Sequence, residues 1–117
     1  NLMEVIMQHR MKLHDNPFKK IKCGTKTIEM RLYDEKRSKI SVNDTIVFMN
    51  AESKESIECL VIGLYRYPSF FELYERHNKT SIGYNVNDIA DANDMYKIYS
   101  RSDIEKYGVI GIEIKVI

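Results

Sequence analysis

The chain has 117 residues, 44% of them hydrophobic and 30% charged, with a net charge of +1. That length suits one domain, expected over residues 3–117, and that composition excludes a disordered chain. No run approaches the roughly 18 apolar residues of a membrane helix and the start lacks a charged-then-apolar leader, so the expectation is a cytoplasmic protein with no membrane partner.

The charges are unevenly placed. From Arg10 to Lys39 there are ten Lys or Arg against four Asp or Glu, leaving eight against thirteen elsewhere. A basic surface results if this segment folds on one side; the same count also describes a solvated face with no partner. Cys23 and Cys59 lack a CxxC or His-rich context and are expected to be buried free thiols in a reducing compartment.

The first strand is predicted around Val5 to Leu13, where Val5, Met7, Met11 and Leu13 alternate with Gln8, Arg10 and Lys12. His9 falls on the buried parity and reads as a hydrogen-bonded core histidine rather than a ligand. Asp15-Asn16-Pro17 offers a cap and a first-turn proline for a helix from Pro17 to Cys23, stopped by Gly24, with Phe18 and Ile21 inward and Lys19, Lys20 and Lys22 outward. A strand from Thr27 to Tyr33 follows, with Ile28, Met30 and Leu32 on one face and Glu29, Arg31 and Tyr33 on the other.

A charged connection, Asp34 to Ser41, leads to a turn at Val42 to Thr45 and a strand through Ile46, Val47 and Phe48. Ile57 to Tyr65 is apolar on both parities, as for a central strand covered on both faces. Ser69-Phe70-Phe71-Glu72 matches a capping box opening a helix with Phe70, Leu73, Tyr74 and His77. Thr80 to Ser100 reads as a loop and one helix bearing Ile89, Met95 and Ile98. A turn of helix from Ser102 to Tyr107 stops at Gly108 and feeds a half-buried last strand, Val109 to Ile117. The fold class is α+β, a mixed sheet or small barrel with short helices.

Gly24 and the strand after it place Lys26 on the turn and Glu29, Arg31 and Tyr33 along one strand face. Residues two apart on a strand are about 7 Å apart, close enough for the long side chains of Glu29 and Arg31 to meet. Arginine offers a planar fork for phosphate or a base edge, lysine a mobile charge, and glutamate can orient both. An exposed strand face whose Glu and Arg merely neutralise each other satisfies the same spacing.

Gly24-Thr25-Lys26-Thr27-Ile28-Glu29-Met30-Arg31 fits the GxKxxExR motif and resembles the ASCH family, a branch of the PUA-like barrels. The resemblance extends to Met11-Lys12-Leu13, Pro17 to Ile21, Val42 to Phe48, Tyr99-Ser100 and Glu105 to Ile112, which is most of the chain. It implies a PUA-like mixed β-barrel with flanking short helices and an RNA-binding cleft beside Gly24, Lys26, Glu29 and Arg31. Charge and position add Lys22, Tyr33, Lys36 and Arg37, with Tyr33 open to two readings, a base-stacking ring or a barrel-rim packing residue.

Some members of that family are small amidohydrolases acting on N4-acetylcytidine through the motif lysine and a threonine three residues later. Here Lys26 matches but Glu29 stands where that threonine would be, so a catalytic role would be a general-base one, with Lys26 stabilising an oxyanion. Thr25 and Thr27 are offset from the family position. Three alternatives stay open: an RNA-binding module, a hydrolase of a modified nucleoside or of RNA, and a protein-interaction module of the transcription-coactivator type. His9, His14 and His77 lack metal-ligand spacing, and no nucleotide-binding loop is present, so neither metal nor cofactor is expected. Glu72 and Glu75, three apart on a helix, read as its solvated side.

Overall fold

A computed structural model describes residues 5–117. Five strands curl into one half-barrel sheet, in the order β1-β3-β4-β5-β2. They are β1 (Gln8–Leu13), β2 (Ile28–Leu32), β3 (Thr45–Asn50), β4 (Ser56–Tyr67) and β5 (Val109–Val116), with helices α1 (Asp15–Lys22), α2 (Glu35–Ser38), α3 (Phe70–Arg76) and α4 (Arg101–Tyr107) between them. Only the β1 and β3 pair is parallel; the other three pairings are antiparallel. The expected α+β, PUA-like barrel architecture is therefore present, with β1 and β2 as its two free edges. Among the described residues no helix is long and apolar enough to cross a membrane.

Two apolar clusters hold the sheet. The hollow of the curl is filled by Met11 and Leu13 of β1, Ile46 and Phe48 of β3, Cys59 and Val61 of β4, and Ile110, Ile112 and Ile114 of β5, with Phe18 and Ile21 of α1 packed into it. Phe18 and Ile21 lie three apart, one helical turn, which is why a helix of eight residues suffices. The outer side of β2 and β5 carries the second cluster, where Ile28, Leu32 and Val109 meet Phe70 and Leu73 of α3, Met95 and Ile104.

Several sequence expectations shift in the folded chain. The first strand starts at Gln8, not Val5, because its partner β3 begins at Thr45, opposite Gln8; Val5 and Met7 are exposed. The first helix opens at Asp15 with His14 at its cap, and Asp15 instead accepts from Asn50 Nδ2 (3.0 Å) and pairs with Lys19. Asp34 to Ser41 contains α2, since the Asp34 carboxylate accepts from the Arg37 amide (3.0 Å) and caps a turn. β4 is central in the sheet, yet Ile62 and Tyr65 are exposed, because no helix covers that stretch of its outer side. In Thr80 to Ser100 the helix is a 3-10 helix, Ala92–Lys97, which buries Met95 while Ile89 and Ile98 face solvent. Both cysteines are free, but only Cys59 is buried; Cys23 is exposed at the end of α1. Burial pushes the Cys59 thiol up to about 11.

His9 is a hydrogen-bonded core residue, as its parity indicated. Its Nε2 lies 2.8 Å from Asp44 Oδ2, and Asp44 also accepts from the amides of Met7 (3.1 Å) and Ser41 (2.9 Å). Burial alone would raise the Asp44 carboxyl, but these three partners outweigh it and hold it below the usual range.

Candidate nucleic-acid interface

The side chains of β2 alternate between the two clusters. Ile28, Met30 and Leu32 face the outer one, so Glu29, Arg31 and Tyr33 turn toward the hollow of the curl, where Glu29 stands opposite Ile112 and Arg31 opposite Ile110. The charged face is the interior one, not the exposed, self-neutralised face that the spacing also allowed, and Glu29 is only 3% exposed. A carboxylate in that position requires charged partners. Lys26 Nζ donates to Glu29 Oε1 at 2.8 Å, and Arg31 Nε donates to Glu29 Oε2 at 2.6 Å. Burial by itself would push the Glu29 carboxyl up; the charges and hydrogen bonds of Lys26 and Arg31 together prevail and hold it below its ordinary value.

Lys26 is itself 8% exposed, and the loop after α3 is what buries it. Gly24 adopts φ +86, a left-handed conformation that turns the chain from α1 into β2. Thr27 and Ile28 then donate their amides to Ser81 O (3.0 and 2.9 Å), and Lys20 Nζ donates to Gly83 O (2.6 Å), pinning the loop to both elements. At Gly83, φ is +116 and an added Cβ would lie 3.3 Å from Lys26 Cδ. The lysine stem can yield, so the backbone conformation is the larger cost. Gly83→Ala is expected to lower stability by about 1–2 kcal/mol, measured by urea unfolding; a change within a few tenths would mean that the loop relaxes freely around Lys26.

Arg31 also reaches across the open edge of the barrel. Its Nη2 donates to Lys12 O on β1 (2.8 Å), and Lys36 Nζ does the same to Arg10 O (2.9 Å). Two cationic side chains thus close the seam where β1 and β2 share no ladder. Beside it opens a cleft of about 250 Å³ with Lys26, Glu29 and Arg31 on its polar side and Met30, Met95, Ile98 and Tyr99 on its apolar side. Tyr99 is stacked on the buried Phe70, with centroids 5.9 Å apart and planes 14° apart, which fixes its ring. Burial raises the Tyr99 phenol, despite the opposing pull of Arg31, so it stays a neutral hydroxyl.

The sequence-predicted site residues divide into three groups. Lys26, Glu29 and Arg31 converge on the cleft. Arg37 and Lys36 line a neighbouring groove with Arg10, Lys12 and Arg31, Arg37 being held by Asp34 (3.1 Å). Gly24 is exposed at the turn but lines neither cavity, and Lys22 pairs with Glu55 away from both. Tyr33 packs against the inner cluster and carries the Arg66 guanidinium 3.6 Å above its ring, so its face is already covered. Thr25 Oγ1 donates to Lys20 O on the exposed turn. Sequence reasoning missed Lys12 and Tyr99 as cleft walls; the polar parity of Lys12 on β1 was the available signal, whereas Tyr99 depends on a tertiary contact.

A family model described as the ASCH domain matches residues 11–117. The crystal structure of hypothetical protein PH0355 superposes with a TM-score of 0.81 at 32% identity, covering 95% of this chain and all of that one. The solution structure of protein PF0455 from Pyrococcus furiosus is also 32% identical, with a TM-score of 0.73 and coverage of 95% and 98%. No curated protein matches the chain.

Proposed function

The chain belongs to the ASCH domain family, and from that premise we propose that its cleft binds RNA, taking an unpaired base between the polar side and the apolar side. The observation that carries this reading is the buried Lys26 and Glu29 with the half-buried Arg31, facing Met30, Ile98 and Tyr99 across one cleft. A base is flat and apolar on its faces and polar on its edge, which is the same division as the two sides of this cleft. Three cations, Lys12, Lys26 and Arg31, against one carboxylate, Glu29, leave an excess of two positive charges there, suited to a ligand that brings phosphate.

Binding fits this set better than hydrolysis does. Both oxygens of Glu29 accept from cations and its carboxyl is held below the ordinary range, which makes it a weak general base. The Lys26 ammonium is likewise committed to Glu29 before any substrate arrives.

The test is fluorescence anisotropy with a short single-stranded RNA of mixed sequence, across a salt series. Wild-type protein is expected to bind saturably and to lose affinity steeply with salt. Tyr99→Leu retains an apolar contact with Phe70 but removes the aromatic face, and is expected to weaken binding about tenfold without changing the salt slope. Absence of saturable binding, or indifference to Tyr99→Leu, would defeat the reading.

A further inference from the structure

The cleft accounts for one base, yet a more cationic concavity lies next to it. This groove, of about 390 Å³, has Arg10, Lys12, Arg31, Lys36 and Arg37 around a floor of Val47 and Met49, and no carboxylate among the described residues lines it. It shares Lys12 and Arg31 with the cleft, so the two adjoin across that pair. Building on the RNA-binding reading, we propose that the groove is a phosphate-tracking subsite, and that the ligand is therefore a single-stranded oligonucleotide that runs across β1 and β3 rather than a free nucleoside.

The β1 and β3 register sets out this surface. Arg10 is opposite Val47 and Lys12 opposite Met49, so two exposed cations stand beside two half-buried apolar side chains. Arg10 and Lys12 are about 7 Å apart along the strand, on the order of one step of an extended nucleotide chain. An apolar floor between cationic walls matches a ribose and base with their phosphates, whereas a purely anionic partner would gain nothing from Val47 and Met49. Two of the cations already touch carboxylates outside the groove, Arg31 on Glu29 (2.6 Å) and Arg37 on Asp34 (3.1 Å), and Glu58, opposite Val47, accepts from Gln8 (2.8 Å).

Three of the five cations are already placed. Lys36 and Arg31 are fixed to the carbonyls of Arg10 and Lys12, and Arg37 to Asp34, so little of the side-chain entropy of these three remains to be lost on binding. Arg37 Nε is buried with no acceptor among the described residues, and such an orphaned donor in a native fold calls for an explanation. A duplex fits poorly, because its bases would have to leave the stack to enter the cleft.

Arg10→Gln/Lys12→Gln changes only exposed side chains on a strand held by its backbone, so the fold is retained. Against a hexameric single-stranded RNA the double variant is expected to bind about tenfold more weakly, with the salt slope reduced by about 1.4. Lys54→Gln/Lys115→Gln, which removes the same charge elsewhere, should leave both unchanged, and Tyr99→Leu should change affinity but not slope. A hexamer that binds wild type and the Arg10/Lys12 variant alike would overturn the groove while leaving the cleft standing. Equal affinity for a duplex of the same sequence, or for polyglutamate, would overturn the single-stranded assignment. No RNA binding at all would defeat the cleft reading and the groove with it.

Discussion

Glu29→Gln is expected to lower the unfolding free energy by about 3 kcal/mol at neutral pH, a large share of the stability of a domain this size. The substitution keeps the shape and removes the charge, leaving the buried Lys26 ammonium and the Arg31 guanidinium without their shared counterion. Removing one partner from a buried ion pair costs about 3–5 kcal/mol. The lower end applies because the Lys26 stem can swing toward the cleft and the Arg31 side chain is 15% exposed. The pH dependence checks the cause. The Glu29 carboxyl is held below its ordinary value of 4.5 in the folded state, so its stabilisation is complete above that value and is lost as pH falls through the lower folded value. A protonated Glu29 and a glutamine are then nearly equivalent. The gap between wild type and Glu29→Gln should therefore narrow as urea unfolding is repeated below about pH 4.5. A gap that is under about 1 kcal/mol at neutral pH, or that does not change with pH, would mean the cations reach water without Glu29.

Arg31→Lys is expected to loosen the seam although it preserves the charge. A lysine ammonium has no rigid fork and cannot hold Glu29 Oε2 and Lys12 O with the geometry of Nε and Nη2, at 2.6 and 2.8 Å. Loss of charge-assisted hydrogen bonds of this kind costs about 1.5–3 kcal/mol. Because β1 has no strand partner on that side, the effect should be local: faster amide hydrogen exchange in Gln8–Leu13 than in β4 or β5. RNA affinity should fall as well, by about tenfold, since Arg31 belongs to both the cleft and the groove. Lys36→Ala, which removes the exposed second clip, should change stability by less than about 1 kcal/mol. Unchanged exchange in β1 of Arg31→Lys would show that the seam is closed by apolar packing alone.

Much of this architecture was legible residue by residue. The alternation of Ile28, Met30 and Leu32 marked β2, the Phe18 and Ile21 pair marked the buried side of α1, and Gly24 and Gly108 marked helix ends that the structure confirms with φ of +86 and +69. The GxKxxExR spacing pointed to Lys26, Glu29 and Arg31 as one unit, and they are one unit. Misreadings arose where a local pattern depends on a distant neighbour. Val5 and Met7 alternate like strand residues but lie outside the β1–β3 register, which begins at Gln8 opposite Thr45, and Ile62 is exposed on the outer side of β4.

What the amino-acid order determined by itself is the set of short elements, their apolar sides and the identity of three charged residues at fixed spacing, because those follow from backbone period and side-chain reach. Only the tertiary structure decided that the charged side of β2 faces inward, since alternation gives two faces without saying which one the curl of the sheet encloses. It likewise decided that Tyr33 lies under Arg66 while Tyr99, 66 residues further on, forms the cleft wall. Burial turned an ordinary Glu and Arg spacing into a charged network, because in the low-dielectric interior an unpaired carboxylate is too costly to keep.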